Sequence, residues 1–410
     1  FSRLDGMFAF SILDKNLGKI FIARDFFGEK PLYYSKTSFG LIWGSELKSL
    51  MLFFKTRPKI NNDALSLYFQ LTYIPAPHTI YKGISKLLPN YYLEVDINTI
   101  EIKQNPIAHK SKYIKNKFSF NQAKKKTHDL VFDSVLSRSI SDVPIGTFLS
   151  GGVDSSIISY CLSQIKDKPI DTFSIGFGSK KFDESNKAKV VANLIGSNHY
   201  NFMVSDKDLV EDLDEILNNY DEPFGDPSAL PTFLVSKFTR RKVKVALTGD
   251  GGDEAFGGYN KYHIGKINMI YKKTIPKYLH ENILWLSDIV LKENSDNRGY
   301  RFKIKKVLQA IDYENSFYYN MISLGFKHNE LPTLFKKKEL IKPVSLFFSK
   351  NNISSLHDFR KIDKEISLEG DLLVKVDRAS MLNSLECRSP FLNKEIWDFS
   401  NNLPEDYLLN

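Results

Sequence analysis

Two glycine-rich, acid-bearing stretches carry the residue types and spacing that chemistry needs. The first is Phe148-Leu149-Ser150-Gly151-Gly152-Val153-Asp154-Ser155-Ser156. It follows an apolar run (Val143 to Leu149) and precedes a helical pattern at Ile157, Ile158, Cys161, Leu162 and Ile165. A strand, a glycine turn and a helix start, in that order, aim several backbone N–H groups at one spot where an anion binds. Gly151 and Gly152 let a phosphate come close to the backbone, and Ser150, Ser155 and Ser156 add hydroxyl donors. Asp154 would by itself repel a phosphate there, so its use is to hold a Mg²⁺ that bridges to the phosphates. The competing reading is an ordinary glycine turn with an N-capping Ser or Asp; the density of the whole string favours a nucleotide phosphate site.

The second stretch follows the apolar run Val243 to Leu247 and reads Thr248-Gly249-Asp250-Gly251-Gly252-Asp253-Glu254. Acids so close raise one another's pKa unless a cation balances them. A second ligand for the same Mg²⁺, Asp253, accounts for this. Asp250 or Glu254 would instead face a substrate amine or take a proton. A helix start whose acids complement its dipole is the alternative. Asp221-Glu222-Pro223 to Asp226-Pro227-Ser228 is a rigid acidic loop that either lines the same cleft or caps a helix. Lys375 and Arg378 lie three apart and share a helix face. They either offset charge beside the phosphates or pair with Asp371, Asp377 or Glu386.

The elements around these residues form a recognisable order. Residues 1 to 52 alternate short apolar runs with turns (Met7 to Leu13, Lys19 to Ala23, Leu32 to Ser35, Gly40 to Gly44), which predicts antiparallel sheet. Residues 53 to 120 read as a connector, with a Lys-rich linker from Ile102 to Lys117. From residue 121 to 410, helices alternate with strands: Gln122 to Ile140, the strand before the first turn, Ile170 to Ile175, Glu184 to Ile195, His199 to Met203, Asp206 to Asn219, Ser228 to Phe238 and Val243 to Leu247. That alternation predicts an α/β fold with a parallel sheet and helices on both faces. Ligands of such sheets bind beyond the carboxyl ends of the strands, and both glycine stretches fall there. Residues 259 to 366 read as mostly helical, and Gly370 to Leu382 as one helix.

Composition narrows the class. The 410 residues, 42% hydrophobic and 26% charged, are those of a soluble globular protein of about two domains. Nothing approaches the roughly 18–20 apolar residues of a membrane span. Two cysteines, Cys161 and Cys387, exclude a disulfide framework and suit a reducing compartment. The net charge of +9 is spread over small groups (Lys124 to Lys126, Lys303 with Lys305 and Lys306, Lys336 to Lys338) and reads as a solvated surface, not a nucleic-acid stripe.

Four strings in order resemble the asparagine synthetase (glutamine-hydrolysing) family: DFFGEKPLYY (Asp25 to Tyr34), SGGVDSS (Ser150 to Ser156), TGDGGDEAFGGY (Thr248 to Tyr259) and DRASMLNSLECRSPFL (Asp377 to Leu392). The resemblance implies an adenine nucleotide alpha-hydrolase-like domain of pyrophosphate-loop type. It would be preceded by the last part of an N-terminal-nucleophile glutaminase α+β sandwich (type 2 glutamine amidotransferase). It implies a cytoplasmic ligase that uses ATP and Mg²⁺: a carboxylate, in the usual case the aspartate side chain, is adenylated, pyrophosphate leaves, and ammonia from glutamine gives asparagine, AMP and glutamate. By position, Leu149, Ile175, Thr248 and Gly249 would line the adenosine. Ser150, Gly151, Gly152, Asp154, Ser155 and Ser156 would hold pyrophosphate, and Asp154 with Asp253 would bind the metal. Asp250 would act near the acyl-adenylate, with Lys375 and Arg378 as catalytic cations. Arg378 stands where the family often has Lys; it keeps the charge but cannot give up a proton. A homodimer is a family expectation.

The sequence departs from the family at its start: neither the N-terminal Cys nor the upstream glutamine-binding motifs are present. The expectation is a fragment of a longer protein, cut at the front and also at Asn410, unable as written to hydrolyse glutamine. Two further readings stand beside it: the same chemistry on another acid, such as a sugar uronate in surface polysaccharide synthesis, and a tRNA-modifying pyrophosphate-loop enzyme. A non-catalytic remnant is the third.

Overall fold

The computed structural model describes residues 1–111, 113, 117–178, 183–291, 300–311, 313, 317–328, 330–335, 342–348, 353 and 355–409. Residues 112 and 114–116 of the expected linker, and Lys336 to Lys338, lie outside them.

At the front, seven strands form two antiparallel sheets. β1 (Ala9–Asp14), β2 (Lys19–Arg24), β6 (Tyr91–Asp96) and β7 (Ile102–Pro106) pair in the order β1-β2-β6-β7. β3 (Tyr33–Thr37), β4 (Gly40–Gly44) and β5 (Ser85–Lys86) form a second sheet in the order β4-β3-β5. Leu93 and Val95 of β6 alternate inward and Ile22 opposes Leu93, all buried. The stretch 53–120, read as a spacer, therefore supplies three strands. Period-two alternation in Tyr91 to Val95 was its visible signal, and the Pro89-Asn90 turn concealed how far the sheet continues.

The rest of the chain is built on one parallel sheet. β8 (Ile145–Phe148), β9 (Asp171–Phe177), β10 (Asn198–Val204), β11 (Val245–Leu247) and β12 (Glu386–Arg388) lie in the order β10-β9-β8-β11-β12. Helices Phe120–Arg138 and Val153–Ile165 cover one face through Leu130, Val135, Ile158 and Leu162. Helices Ala229–Thr239 and Leu373–Leu382 cover the other through Val235 and Val376, packed with Phe173 and Ala246. β12 was not expected: three residues hold too short a pattern to announce a strand, and its pairing with β11 is 141 residues distant in sequence. The expected helix Asp206 to Asn219 breaks into Asp206–Glu211 and Leu213–Asn219. The expected Gly370 to Leu382 helix is α-helical from Leu373, after a π-helical run Asp363–Leu372. Among the described residues no helix is long and apolar enough to cross a membrane.

The front sheets are fastened to the parallel-sheet domain by buried charge. Arg24 Nη1 lies 2.9 Å from Glu369 Oε1, with both side chains at or below 3% exposure. Arg24 also donates to the carbonyls of Gly28, Lys30 and Leu87, and Glu369 accepts from the Ala76 N–H at 2.9 Å. Lys30 pairs with Asp377 at 2.9 Å and Arg138 with Glu29 at 3.2 Å. Phe26 and Phe27 pack on Leu373, Leu392 and Trp397. Glu369→Ala leaves the Arg24 guanidinium buried without its counter-charge and is expected to cost about 3–5 kcal/mol of unfolding free energy. Urea denaturation measures it; a loss below about 1 kcal/mol would mean that the carbonyls alone satisfy Arg24.

Candidate nucleotide and acyl-transfer site

The strand order reverses direction once. From β8 the chain moves outward through β9 to β10, then returns to lay β11 on the other side of β8. Ligands of open α/β sheets bind at such a reversal, beyond the strand ends. The two loops that meet there follow β8 and β11, which pair in register (Ala246 opposite Gly146). They are the two glycine stretches.

The first loop is shaped before any ligand arrives. Gly151 has φ +79°, and a Cβ on it would stand 2.6 Å from the backbone of Lys187 and Ala188, so only glycine fits. Ser155 Oγ accepts the Ser150 N–H at 3.2 Å and lies 3.0 Å from Ser150 Oγ, while Ser156 Oγ donates to the Gly152 carbonyl at 2.6 Å. Gly152 caps the Val153–Ile165 helix without a side-chain bond, which leaves first-turn N–H groups directed outward.

The second loop presses against the first. A Cβ on Gly252 would meet Asp154 Cγ at 2.5 Å, and one on Gly249 would meet Ser155 N at 2.8 Å. Thr248 is buried and shares a 3.0 Å hydroxyl contact with Ser389, beyond β12. Thr248 and Gly249 thus join the loops from behind. Leu149 is likewise core, packed on Ala188 and Ala192, and Ile175 is half-buried within β9, two residues before its end.

Burial, and after it the charges of Asp253 and Asp250, push Asp154 up to about 6. Burial also raises Asp253, against the opposing pull of Lys261. No side-chain hydrogen bond or ion pair joins either carboxylate among the described residues. Two half-buried carboxylates without a protein partner are donors of the kind Mg²⁺ takes, but among the described residues no group of three or more ligating side chains meets at one point. Glu254 does not share this site: it is 1% exposed, accepts from the Tyr259 hydroxyl at 2.8 Å, and burial lifts it to about 7. Behind it Arg360, fully buried, donates to the carbonyls of Glu254 and Ala255 and to Ser400 Oγ. Nothing in the local sequence marks Arg360 as the brace of this loop.

The two cations separate. Lys375 Nζ pairs with Asp226 at 3.0 Å and donates to Ser228 Oγ at 2.8 Å; burial opposes its charge, but Asp226 and then Asp250 raise its pKa. The acidic loop 221–228 turns into its helix through Asp226, which accepts from the Ser228 N–H at 2.8 Å as well as pairing with Lys375. Arg378 points elsewhere: its guanidinium, 5% exposed, reaches the Ser45 carbonyl at 3.0 Å, Glu46 at 3.2 Å and Asp221 at 3.5 Å. The three-residue spacing puts both side chains on one face but not against one partner. Cys161 and Cys387 are free and buried, and burial holds their thiols up at about 11 and about 12.

An adenine nucleotide alpha-hydrolase-like fold, with its pyrophosphate-type loop at the sheet reversal, is the class these features define. The asparagine synthase family model matches residues 126–410, and a glutamine amidotransferase domain model matches residues 1–106. The chain belongs to the asparagine synthase family. It is 35% identical over 394 residues to a Methanocaldococcus jannaschii protein provisionally named asparagine synthetase (glutamine-hydrolyzing) 2, covering 93% of this chain and 73% of that protein. It is 32% identical over 412 residues to asparagine synthetase (glutamine-hydrolyzing) 1 of Bacillus subtilis, covering 99% of this chain and 63% of that protein. A U34-tRNA thiolase from Methanococcus maripaludis superposes with a TM-score of 0.26 at 13% identity, over 62% of this chain and 94% of that one, a likeness too slight to bear on fold or function.

Gly151→Ala forces a Cβ into the Lys187–Ala188 backbone. It is expected to weaken ATP·Mg²⁺ binding in isothermal titration at least about tenfold, ~1.4 kcal/mol, with circular dichroism unchanged. Undiminished affinity would place the nucleotide elsewhere.

Proposed function

We propose that this chain carries the synthetase chemistry of an ATP-dependent amide ligase, with the aspartate side chain as acceptor and asparagine as product. The observation that carries the reading is the meeting of the two glycine loops at the sheet reversal, where Asp154 lies against Gly249 and Gly252 of the second loop. The names borne by the relatives in Methanocaldococcus and Bacillus support the choice of acid and of glutamine as nitrogen source in the whole protein. On this reading the segment that matches the amidotransferase model supplies the ammonia.

The residues divide the work. The Ser150 to Ser156 turn takes the pyrophosphate of ATP through its N–H groups and hydroxyls, and Thr248, Gly249, Leu149 and Ile175 border the adenosine. Asp154 and Asp253 would hold Mg²⁺, whose charge offsets that of the phosphates when bound. An acceptor carboxylate oxygen attacks the α-phosphorus, and the bond to pyrophosphate breaks with its electron pair. The ammonia nitrogen then attacks the acyl carbon, AMP leaves, and one proton must be taken from nitrogen. On this reading Asp250 takes that proton, and Lys375, on which the charge of Asp250 acts, supplies the positive charge there. Arg378 holds Asp221 and Glu46, so its part is to fix the cleft wall. The substrates are small molecules; the scattered lysines give no continuous surface for tRNA.

The test is pyrophosphate release with ATP, Mg²⁺, aspartate and ammonium chloride. Release that depends on aspartate is expected. Release with a uronic acid and none with aspartate would move the acceptor and keep the chemistry, and no release with any acid would overturn the reading. Asp154→Ala is expected to abolish release while the melting temperature stays near wild type. Wild-type release by this variant would refute the metal assignment.

A further inference from the structure

The loop 221–228 is held from two sides, and the two sets of partners come from different parts of the chain. On one side Glu222 pairs with Lys86 Nζ, and Glu222 Oε2 accepts from the Ile80 N–H at 3.1 Å. Lys86, whose side chain is 3% exposed, also donates to the Ile74 carbonyl. Three residues further on, the Gly225 N–H donates to the Thr72 carbonyl at 2.8 Å, and a Cβ on Gly225 would stand 3.2 Å from Thr72 Cβ. Thr72, Ile74, Ile80 and Lys86 all lie in residues 1–106, the stretch that matches the amidotransferase model. On the other side are Lys375 and Ser228, both bonded to Asp226 and to one another. Ser228 opens the helix Ala229–Thr239, which leads into β11. A helix that feeds a parallel strand starts at the carboxyl end of the sheet. Lys375 is therefore held on the side of the two glycine loops.

The backbone between the two sets of contacts is stiff. Pro223 and Pro227 restrict it on either side of Gly225, and the rings of Tyr220 and Phe224 stack 4.6 Å apart with their planes 1° from parallel. A displacement at Glu222 therefore reaches Asp226 instead of being absorbed between them. Asp221 makes a looser contact, 3.5 Å from Arg378, and its Oδ2 has no hydrogen-bond partner, so Glu222 is the firmer anchor. We propose that Glu222 is a positioning residue: by holding the loop on Lys86 and Ile80 it fixes Asp226, and through Asp226 the place of the Lys375 ammonium. The cation of the synthetase cleft is thus set by the segment in front of it. The kinetic consequence rests on the function proposed above; the attachment of the loop does not.

The experiment combines Lys86→Met with Glu222→Met, which replaces the buried pair by apolar side chains of similar length and leaves neither charge buried alone. In aspartate-dependent pyrophosphate release, kcat is expected to fall about tenfold while the KM for ATP stays within about twofold of wild type, because the glycine loops keep their own contacts. Lys375→Ala is also expected to lower kcat. In that background the Lys86 and Glu222 changes are expected to cost nothing further, since no ammonium is left to place. Losses that multiply, wild-type kcat in the Lys86 and Glu222 variant, or a KM for ATP raised as far as kcat falls would overturn the proposal. Glu222→Asp keeps the charge beside Lys86 and shortens the arm by one methylene, and it gives the reading if the apolar pair does not fold. It is expected to lower kcat about threefold, again without effect in the Lys375→Ala background, and wild-type kcat would overturn the proposal. If the wild type releases pyrophosphate with no acid, the functional reading fails, and hydrogen exchange decides the rest. The amides of residues 225–230 are expected to exchange about tenfold faster in the variant that folds, with those of the helix Val153–Ile165 unchanged. Equal exchange at 225–230 overturns the attachment.

Discussion

Negative charge held close without neutralisation is the constraint on which this molecule turns. Asp154, Asp250 and Asp253 come from two loops that touch through glycine, and burial, with the charges of Asp253 and Asp250 after it, pushes Asp154 up to about 6. Perturbed carboxylates of this kind gather where a fold receives a ligand. The glycines at 249 and 252 serve the same end, since any side chain there would force Asp154 away from the second loop. The loops are therefore built around the space between them.

Rigidity behind the loops makes that tolerable. Arg360 ties the carbonyls of Glu254 and Ala255 to Ser400, and Asp363 accepts from Lys261 at 2.8 Å and Tyr318 at 2.5 Å. The Asp363–Leu372 run carries Asp363, Glu369 and Asp371 in succession, so one stretch of backbone reaches the brace of the second loop, the front sheets through Arg24, and the Lys375 cluster. Any shift of the front sheets against the larger domain is felt along that run. Arg378, which joins Ser45 and Glu46 to Asp221, adds a second link between the same parts.

Much of this was legible in the residues. The strand, turn and helix around Ser150 to Ser156 are local, and local periodicity and glycine placement reveal them. The parallel sheet followed from alternation. What stayed hidden depends on contacts between residues far apart in sequence. Tyr91 to Pro106 joins β2 because Leu93 and Val95 find Ile22, which no local pattern states. Lys375 and Arg378 share a face yet diverge, because Asp226 and Asp221 lie at different depths of one loop.

The sheet also sets an order of events. β11 is three residues long, and one of its two neighbours is β12, whose residues arrive 141 positions later. Until Glu386–Arg388 emerges from the ribosome, β11 is an open edge and Thr248 lacks Ser389. Closure over so long a span is slow compared with the local hairpins of the front sheets. The second glycine loop is thus completed only once residues 386–389 are made, although it is written in the middle of the chain.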